Sequence, residues 1–174
     1  MAIEKINSAD LSVSTLQLIE CAKKVMSNAY NVYSHFYVGA AARTVSGKIY
    51  SGTNVENASL GLSVCAEPAA LLLAISAGDP EVIDMAVVGG TSPDTKGGRV
   101  ATPCGRCRQI IYEVSQISKT DIMLYCCNPD LSEILRMTIS DLLPLPFGPK
   151  DLGVEKEVEN YLGQLRSTIS EDQK

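Results

Sequence analysis

Cys65-Ala66-Glu67 and Pro103-Cys104-Gly105-Arg106-Cys107 each stand at the head of an apolar helical run, and together they decide how this chain folds and what it can hold. Two cysteines spaced C-x-x-C at the start of a helix can reach one metal ion, and a third from another helix completes the protein's share. Three protein ligands leave the fourth tetrahedral position for water, which marks a catalytic zinc site rather than a structural one. Glu67, two residues after a ligand cysteine, is placed to exchange protons at that position. A redox pair would explain neither Cys65 nor Glu67. A structural zinc site wants a fourth Cys or His. His35 is the only histidine and lies in a tyrosine-rich segment, while Cys126 and Cys127 sit in an apolar, strand-like run. The expected centre is therefore Zn²⁺ held by Cys65, Cys104 and Cys107, with Glu67 carrying protons.

Residues 65–77 read as a buried helix ended by Gly78, with Leu71-Leu72-Leu73 and Ile75 in its apolar body. Pro68 falls in its first turn, where a missing N–H costs little. Residues 104–116 read as a second buried helix with Ile110, Ile111 and Val114 inward. Both cysteine segments then lie at helix N-termini, whose partial positive charge favours thiolate over thiol. Outward from these two helices, residues 13–30 have the spacing of an amphipathic helix. Residues 36–44 and 48–55 form strand-like runs around Ser46-Gly47, a hairpin signal. Residues 82–88, 121–127 and 133–138 give three more strands, 139–143 a short helical turn, and 91–102 a polar, Gly-rich loop. The tail after Pro149 carries Val154, Val158, Tyr161, Leu162 and Leu165 at helical spacing. Strands alternating with helices predict an α/β fold, layered α/β/α, around a mixed sheet of about five strands. Residues 1–152 form one domain, and 153–174 are a helical extension of it.

A chain of 174 residues, 45% apolar and 20% charged, suits one soluble domain with a sizeable core. Its net charge of −5 argues against a phosphate-gripping surface, so long nucleic acids are unsuited partners and a small neutral substrate is expected. Met1-Ala2-Ile3-Glu4-Lys5 is not a secretory signal, so the six cysteines are expected to stay reduced in the cytoplasm. Apolar runs such as Ala69 to Ile75 are too short to span a bilayer, so no membrane partner is expected.

Cys65-Ala66-Glu67 followed by Pro103-Cys104-Gly105-Arg106-Cys107 meets the zinc deaminase pattern in its cysteine form. Three further stretches fall in register with it: Tyr33 to Ala41, Asn54-Val55-Glu56-Asn57-Ala58, and Leu142-Leu143-Pro144 with Phe147-Gly148-Pro149. On these motifs the chain resembles the cytidine deaminases, specifically the small homotetrameric zinc enzymes of pyrimidine salvage, from about residue 16 to 152. The resemblance implies hydrolytic deamination of cytidine and 2′-deoxycytidine to uridine and 2′-deoxyuridine with release of ammonia. It implies zinc on Cys65, Cys104 and Cys107, and Glu67 moving protons to ring N3 and to the departing amine. Asn54 and Glu56, at i and i+2 on one strand face, match the pair that holds the sugar 3′-hydroxyl. Phe36 matches the aromatic that packs on the pyrimidine. The Ala66 N–H would serve the ring O2 and the Thr102 carbonyl the exocyclic amine. Phe147 matches an aromatic that reaches a neighbouring subunit's site, so a homotetramer is implied.

The chain departs from the family at Pro68-Ala69-Ala70, where an arginine commonly follows the glutamate and offsets thiolate charge. Arg106, inside the C-x-x-C, is the replacement expected to tune that charge. The same exchange resembles blasticidin S deaminases, which keeps an aminonucleoside-antibiotic deaminase open as an alternative. Leu60 stands where a tyrosine often helps hold the ribose, and Val32 and Tyr37 replace frequent prolines. An alternative of another class is a non-catalytic, zinc-stabilised binding module, against which Glu67 speaks.

Overall fold

The computed structural model describes residues 3–172, with side chains described through residue 165. Six strands form one sheet in the order β1-β6-β5-β4-β2-β3, where β1 is Glu4–Ile6, β2 Tyr37–Thr44, β3 Ile49–Thr53, β4 Val82–Gly90, β5 Met123–Cys127 and β6 Ile134–Thr138. Only β4 and β5 run parallel, so the sheet is mixed. The helices are α1 (Val13–Met26), α2 (Ala66–Ser76), α3 (Gly105–Ser118), α4 (Ile139–Leu142), α5 (Pro149–Leu152) and α6 (Glu155–Asp172).

The layering follows from strand alternation. Along β2, Ala40 and Ala42 face one side of the sheet and Ala41 the other; along β4, Met85 and Val87 oppose Ala86 and Val88. Helix α1 covers one side, setting Leu18, Ile19, Ala22 and Met26 against Ala41, Ala86, Val88 and Cys127. Helices α2 and α3 cover the other, with Ala70, Leu71, Ala74, Ile111 and Val114 against Ala40, Ala42, Met85, Val87 and Leu124. The expected α/β/α architecture is what forms. Small residues let the layers close: a Cβ on Gly39 would lie 2.0 Å from the Ala22 carbonyl oxygen of α1, and one on Gly52 2.6 Å from the Ala70 nitrogen of α2.

The sheet has a sixth strand, β3 ends at Thr53 rather than 55 so that Asn54 and Glu56 lie just beyond it, and α1 ends early. Strand β1 escapes a reading by periodicity because it is a three-residue edge with no fully buried residue, held by pairing with β6. Helix α1 stops at Met26 rather than 30 because the Tyr30 backbone is committed elsewhere. Its N–H donates to the Asn54 carbonyl (3.1 Å) and its carbonyl accepts from Glu56 N–H (2.8 Å). The tail forms α6, which packs on α3 with Leu162 buried and a Lys119–Glu159 ion pair of 2.7 Å. Among the described residues no helix is long and apolar enough to cross a membrane.

Strand β4 leads through residues 91–104 into α3 and then into parallel β5. In open α/β sheets the space beyond the carboxyl ends of the strands is where helix N-termini and loops converge on ligands. The N-termini of α2 and α3 meet in that region of this chain.

Candidate active site

Cys65 and Cys104 are the N-cap residues of α2 and α3, and Cys107 lies in the first turn of α3. Neither cap side chain bonds a helix N–H, which leaves the sulfurs free to point at one another. Their Sγ atoms, with that of Cys107, all lie within 4.8 Å of each other, and Cys104 Sγ is 3.4 Å from Cys107 Sγ. Four-coordinate zinc with Zn–S bonds of about 2.3 Å sets its sulfurs about 3.8 Å apart, so this triangle fits the ion in size and in donor chemistry.

Hydrogen bonding from Cys107 lowers the Cys65 pKa to about 6, against burial and the Glu67 charge, with Cys104 and Arg106 helping. The same hydrogen bond, together with burial, pushes Cys107 strongly upward. Cys126 and Cys127 are different: both are buried in β5, and burial raises both thiols, Cys127 to about 12. They are core residues, as the apolar run around them suggested.

Glu67 lies in the first turn of α2 and is 4% exposed. Burial raises its pKa, partly offset by its own backbone N–H and by the Cys107 thiol. It opens onto a cleft of about 400 Å³ lined by Phe36, Asn54, Glu56, Ala66, Thr102 and the three cysteines, among others. Five residues predicted to contact substrate thus share one cavity with the three cysteines that could hold a metal ion. Ala66 is the first residue of α2, so its N–H has no intrahelical partner.

Asn54 and Glu56 have a second task that spacing did not reveal. Asn54 Oδ1 accepts from Val38 N–H (2.9 Å) and its Nδ2 donates to the Phe36 carbonyl (2.9 Å). Glu56 Oε2 accepts from the N–H groups of Tyr33 (2.8 Å) and Ser34 (3.2 Å). The pair brackets the segment that presents Phe36. His35 is exposed with φ 55°, and its N–H closes a turn onto the Asn31 carbonyl (2.8 Å).

Phe147 and Arg106 lie outside the cleft. Phe147 is 60% exposed, and its carbonyl accepts from Gln109 Nε2 (2.8 Å). Arg106 is exposed and donates through Nη1 to the Ser63 carbonyl (3.1 Å), two residues before Cys65. Its influence on the thiols is through charge. Sequence reasoning gave no role to Arg108, which donates to the carbonyls of Pro103 (2.9 Å) and Leu142 (3.0 Å) and ties the Cys104 turn to α4. Arg99 was also passed over, although it lines the cleft. Its place in a polar loop carries no periodic signal.

Comparison with known proteins agrees with this geometry. Residues 13–124 match the cytidine and deoxycytidylate deaminase zinc-binding region. A cytidine deaminase of Halalkalibacterium halodurans is 42% identical over 135 residues, 78% of this chain and 95% of its own length. One from Mycobacterium tuberculosis is 37% identical over 78% of this chain and 90% of its own. The crystal structure of cytidine deaminase from Burkholderia pseudomallei superposes with a TM-score of 0.68 at 38% identity, covering 79% of this chain and 100% of that one. By motif, fold and relatives alike, the chain belongs to the cytidine deaminase family.

Proposed function

We propose that this chain is a zinc-dependent enzyme of pyrimidine salvage that hydrolyses the C4 amino group of cytidine and 2′-deoxycytidine, giving uridine or 2′-deoxyuridine and ammonia. The observation that carries this is a buried carboxylate, Glu67, beside three converging cysteines in a cleft that also holds Asn54 and Glu56. Cys65, Cys104 and Cys107 would hold zinc, releasing their protons as they do so. Bound zinc supplies Lewis acidity that brings the pKa of water toward neutrality. Glu67 takes up the proton lost by the attacking water and passes it to ring N3, making C4 more electrophilic. It then takes the remaining proton from the new C4 hydroxyl and gives it to the amino group, so that the C4 carbonyl forms as the C4–N bond breaks and ammonia leaves. Phe36 packs on the ring, the Ala66 N–H holds O2 and the Thr102 carbonyl receives the amine. Asn54 and Glu56 grip the 3′-hydroxyl with the hydrogen-bonding capacity that their backbone contacts leave free.

Arg106 offsets thiolate charge from its seat on Ser63. Phe147 projects toward a neighbouring subunit in a homotetramer, a reading supported by its exposure and by exposed Leu72 and Leu73 on α2. Residues 153–172 belong to the same domain as 3–152, supported by the packing of α6 on α3, while residues 1–2 and 173–174 of the expected division lie outside the described residues. A cytoplasmic location follows from the need to keep three ligand thiols reduced.

The test is product release from zinc-loaded protein given cytidine, deoxycytidine, cytosine and blasticidin S separately. Glu67→Gln should cut turnover of the nucleosides by about 10²- to 10⁴-fold while zinc content stays constant. Turnover of blasticidin S alone would move the chain to the antibiotic-deaminating alternative. Equal turnover by Glu67→Gln would remove the proton-carrying role.

A further inference from the structure

Part of the cleft wall is made by Arg99, Val100, Ala101 and Thr102, which lie near the end of an irregular connection between β4 and α3. No strand ladder supports this connection. It bends at Gly97, and both Gly97 and its neighbour Gly98 have positive φ (67° and 93°). Such residues have the widest conformational freedom in the chain, and here they immediately precede the residues that face the substrate.

What holds them comes from the turn between β5 and β6. Asp130 Oδ2 accepts from Gly97 N–H at 2.7 Å, and Asn128 Nδ2 donates to the Gly98 carbonyl at 3.4 Å. Both side chains are themselves fixed. The second oxygen of Asp130 accepts from the N–H and hydroxyl of Ser132 (3.2 and 2.7 Å). Asn128 is 1% exposed, accepts from Glu133 N–H (3.0 Å) and donates to Ser132 Oγ (2.8 Å). The same turn presses Pro129 on Gly90, where an added Cβ would lie 2.4 Å from the proline Cγ. The β5–β6 turn is thus a rigid bracket with one charged and one amide contact onto the double-glycine pivot.

We propose that Asp130 is a positioning residue for substrate: by fixing Gly97 it sets where Val100, Ala101 and Thr102 stand against the pyrimidine. This rests on the deaminase reading, because it assigns the ring to that wall. Asp130 touches neither the ring nor the thiols, so its loss should loosen ground-state binding of the ring more than it slows proton transfer at Glu67. An amide at position 130 can still accept from Gly97 N–H, so Asp130→Asn should retain much of the function.

The experiment compares wild type, Asp130→Ala and Asp130→Asn, all zinc-loaded. Steady-state kinetics with cytidine are measured beside amide hydrogen exchange over residues 95–103. Asp130→Ala should raise KM about 10-fold with kcat within about 2-fold, while Asp130→Asn stays within about 3-fold of wild type in KM. Exchange at residues 97–102 should rise in Asp130→Ala and much less in Asp130→Asn, with zinc content unchanged. Unchanged KM, or unchanged exchange, in Asp130→Ala overturns the proposal. So does a parallel fall of kcat with loss of zinc, which would make the bracket a general support for the fold. Wild type inactive on cytidine would overturn the substrate assignment, while the exchange pattern would still report whether Asp130 holds the wall.

Discussion

A single methyl group added at Gly52 should damage catalysis by displacing the helix that carries Cys65 and Glu67. Gly52 lies on β3 beneath the start of α2, and a Cβ built there stands 2.6 Å from both Ala69 Cβ and the Ala70 nitrogen, and 2.8 Å from the Ala69 carbonyl carbon. Two of those three atoms are helix backbone, so no side-chain rotation relieves the clash. Restoring an ordinary contact of 3.4–4 Å requires α2 to back away by about 1 Å, an overpacking that typically costs about 1–3 kcal/mol. For a chain of this size that corresponds to a Tm lower by about 2 to 12 °C. Cys65 and Glu67 ride on the same end of α2, whereas Cys104 and Cys107 ride on α3. Moving one helix therefore opens the sulfur triangle and shifts the Glu67 carboxylate relative to Cys104 and Cys107. A displacement near 1 Å should lower kcat/KM for cytidine by about 10²-fold. The assay pairs steady-state kinetics and zinc stoichiometry with thermal unfolding of Gly52→Ala. Gly163→Ala on α6 is the control, since no atom lies within 4 Å of its added Cβ. If Gly52→Ala kept kcat/KM within about 3-fold and Tm within about 1 °C of wild type, the claim that close β3–α2 packing sets the site would be refuted.

Two further outcomes follow from side-chain networks. Asp79 Oδ2 accepts from Thr44 Oγ1 (2.7 Å), Ser46 Oγ (2.6 Å) and Tyr50 OH (3.2 Å). Burial alone would raise its pKa, but these hydroxyls and the Lys48 charge outweigh it and hold the carboxyl below 3.8. A lowered folded-state pKa adds stability above the unfolded value that is lost as pH falls through the folded one. The stability advantage of wild type over Asp79→Asn should therefore be full at neutral pH and shrink below about pH 4, read by denaturant melts across pH; a gap that does not change with pH would contradict this. Arg106→Ala, which removes a charge seated two residues from Cys65, should weaken zinc binding about 10-fold in competition with a chelating dye. Unchanged zinc affinity would show that the guanidinium has no part in balancing the thiolates.

Much of the site was legible because its chemistry is carried by rare residue types at fixed spacing. Cys65, Cys104, Cys107 and Glu67 stand at helix starts, and a helix start places its first turn with little help from distant contacts. Asn54 and Glu56, which lie just past the end of β3 at Thr53, were legible as cleft residues through the family resemblance. Their second role, holding Phe36 and Val38 through backbone contacts, was not, since those partners lie about 20 residues away in sequence. Arg108 and Asp130 were missed for the same reason: a side chain that serves another segment's backbone leaves no periodicity in its own.

The amino-acid sequence by itself determined the α/β/α class through apolar periodicity and the family through its motifs, and it named the three cysteines and the carboxylate that the structure brings into one cleft, because these signals are local and survive without any knowledge of packing. Tertiary structure alone decided the sixth strand at the sheet edge, the early end of α1, the seat of Arg106 on Ser63, and the bracket from β5–β6 onto Gly97 and Gly98. Each of those depends on which backbone N–H or carbonyl is left without a partner once the layers have closed, and that is settled only when segments distant in sequence meet.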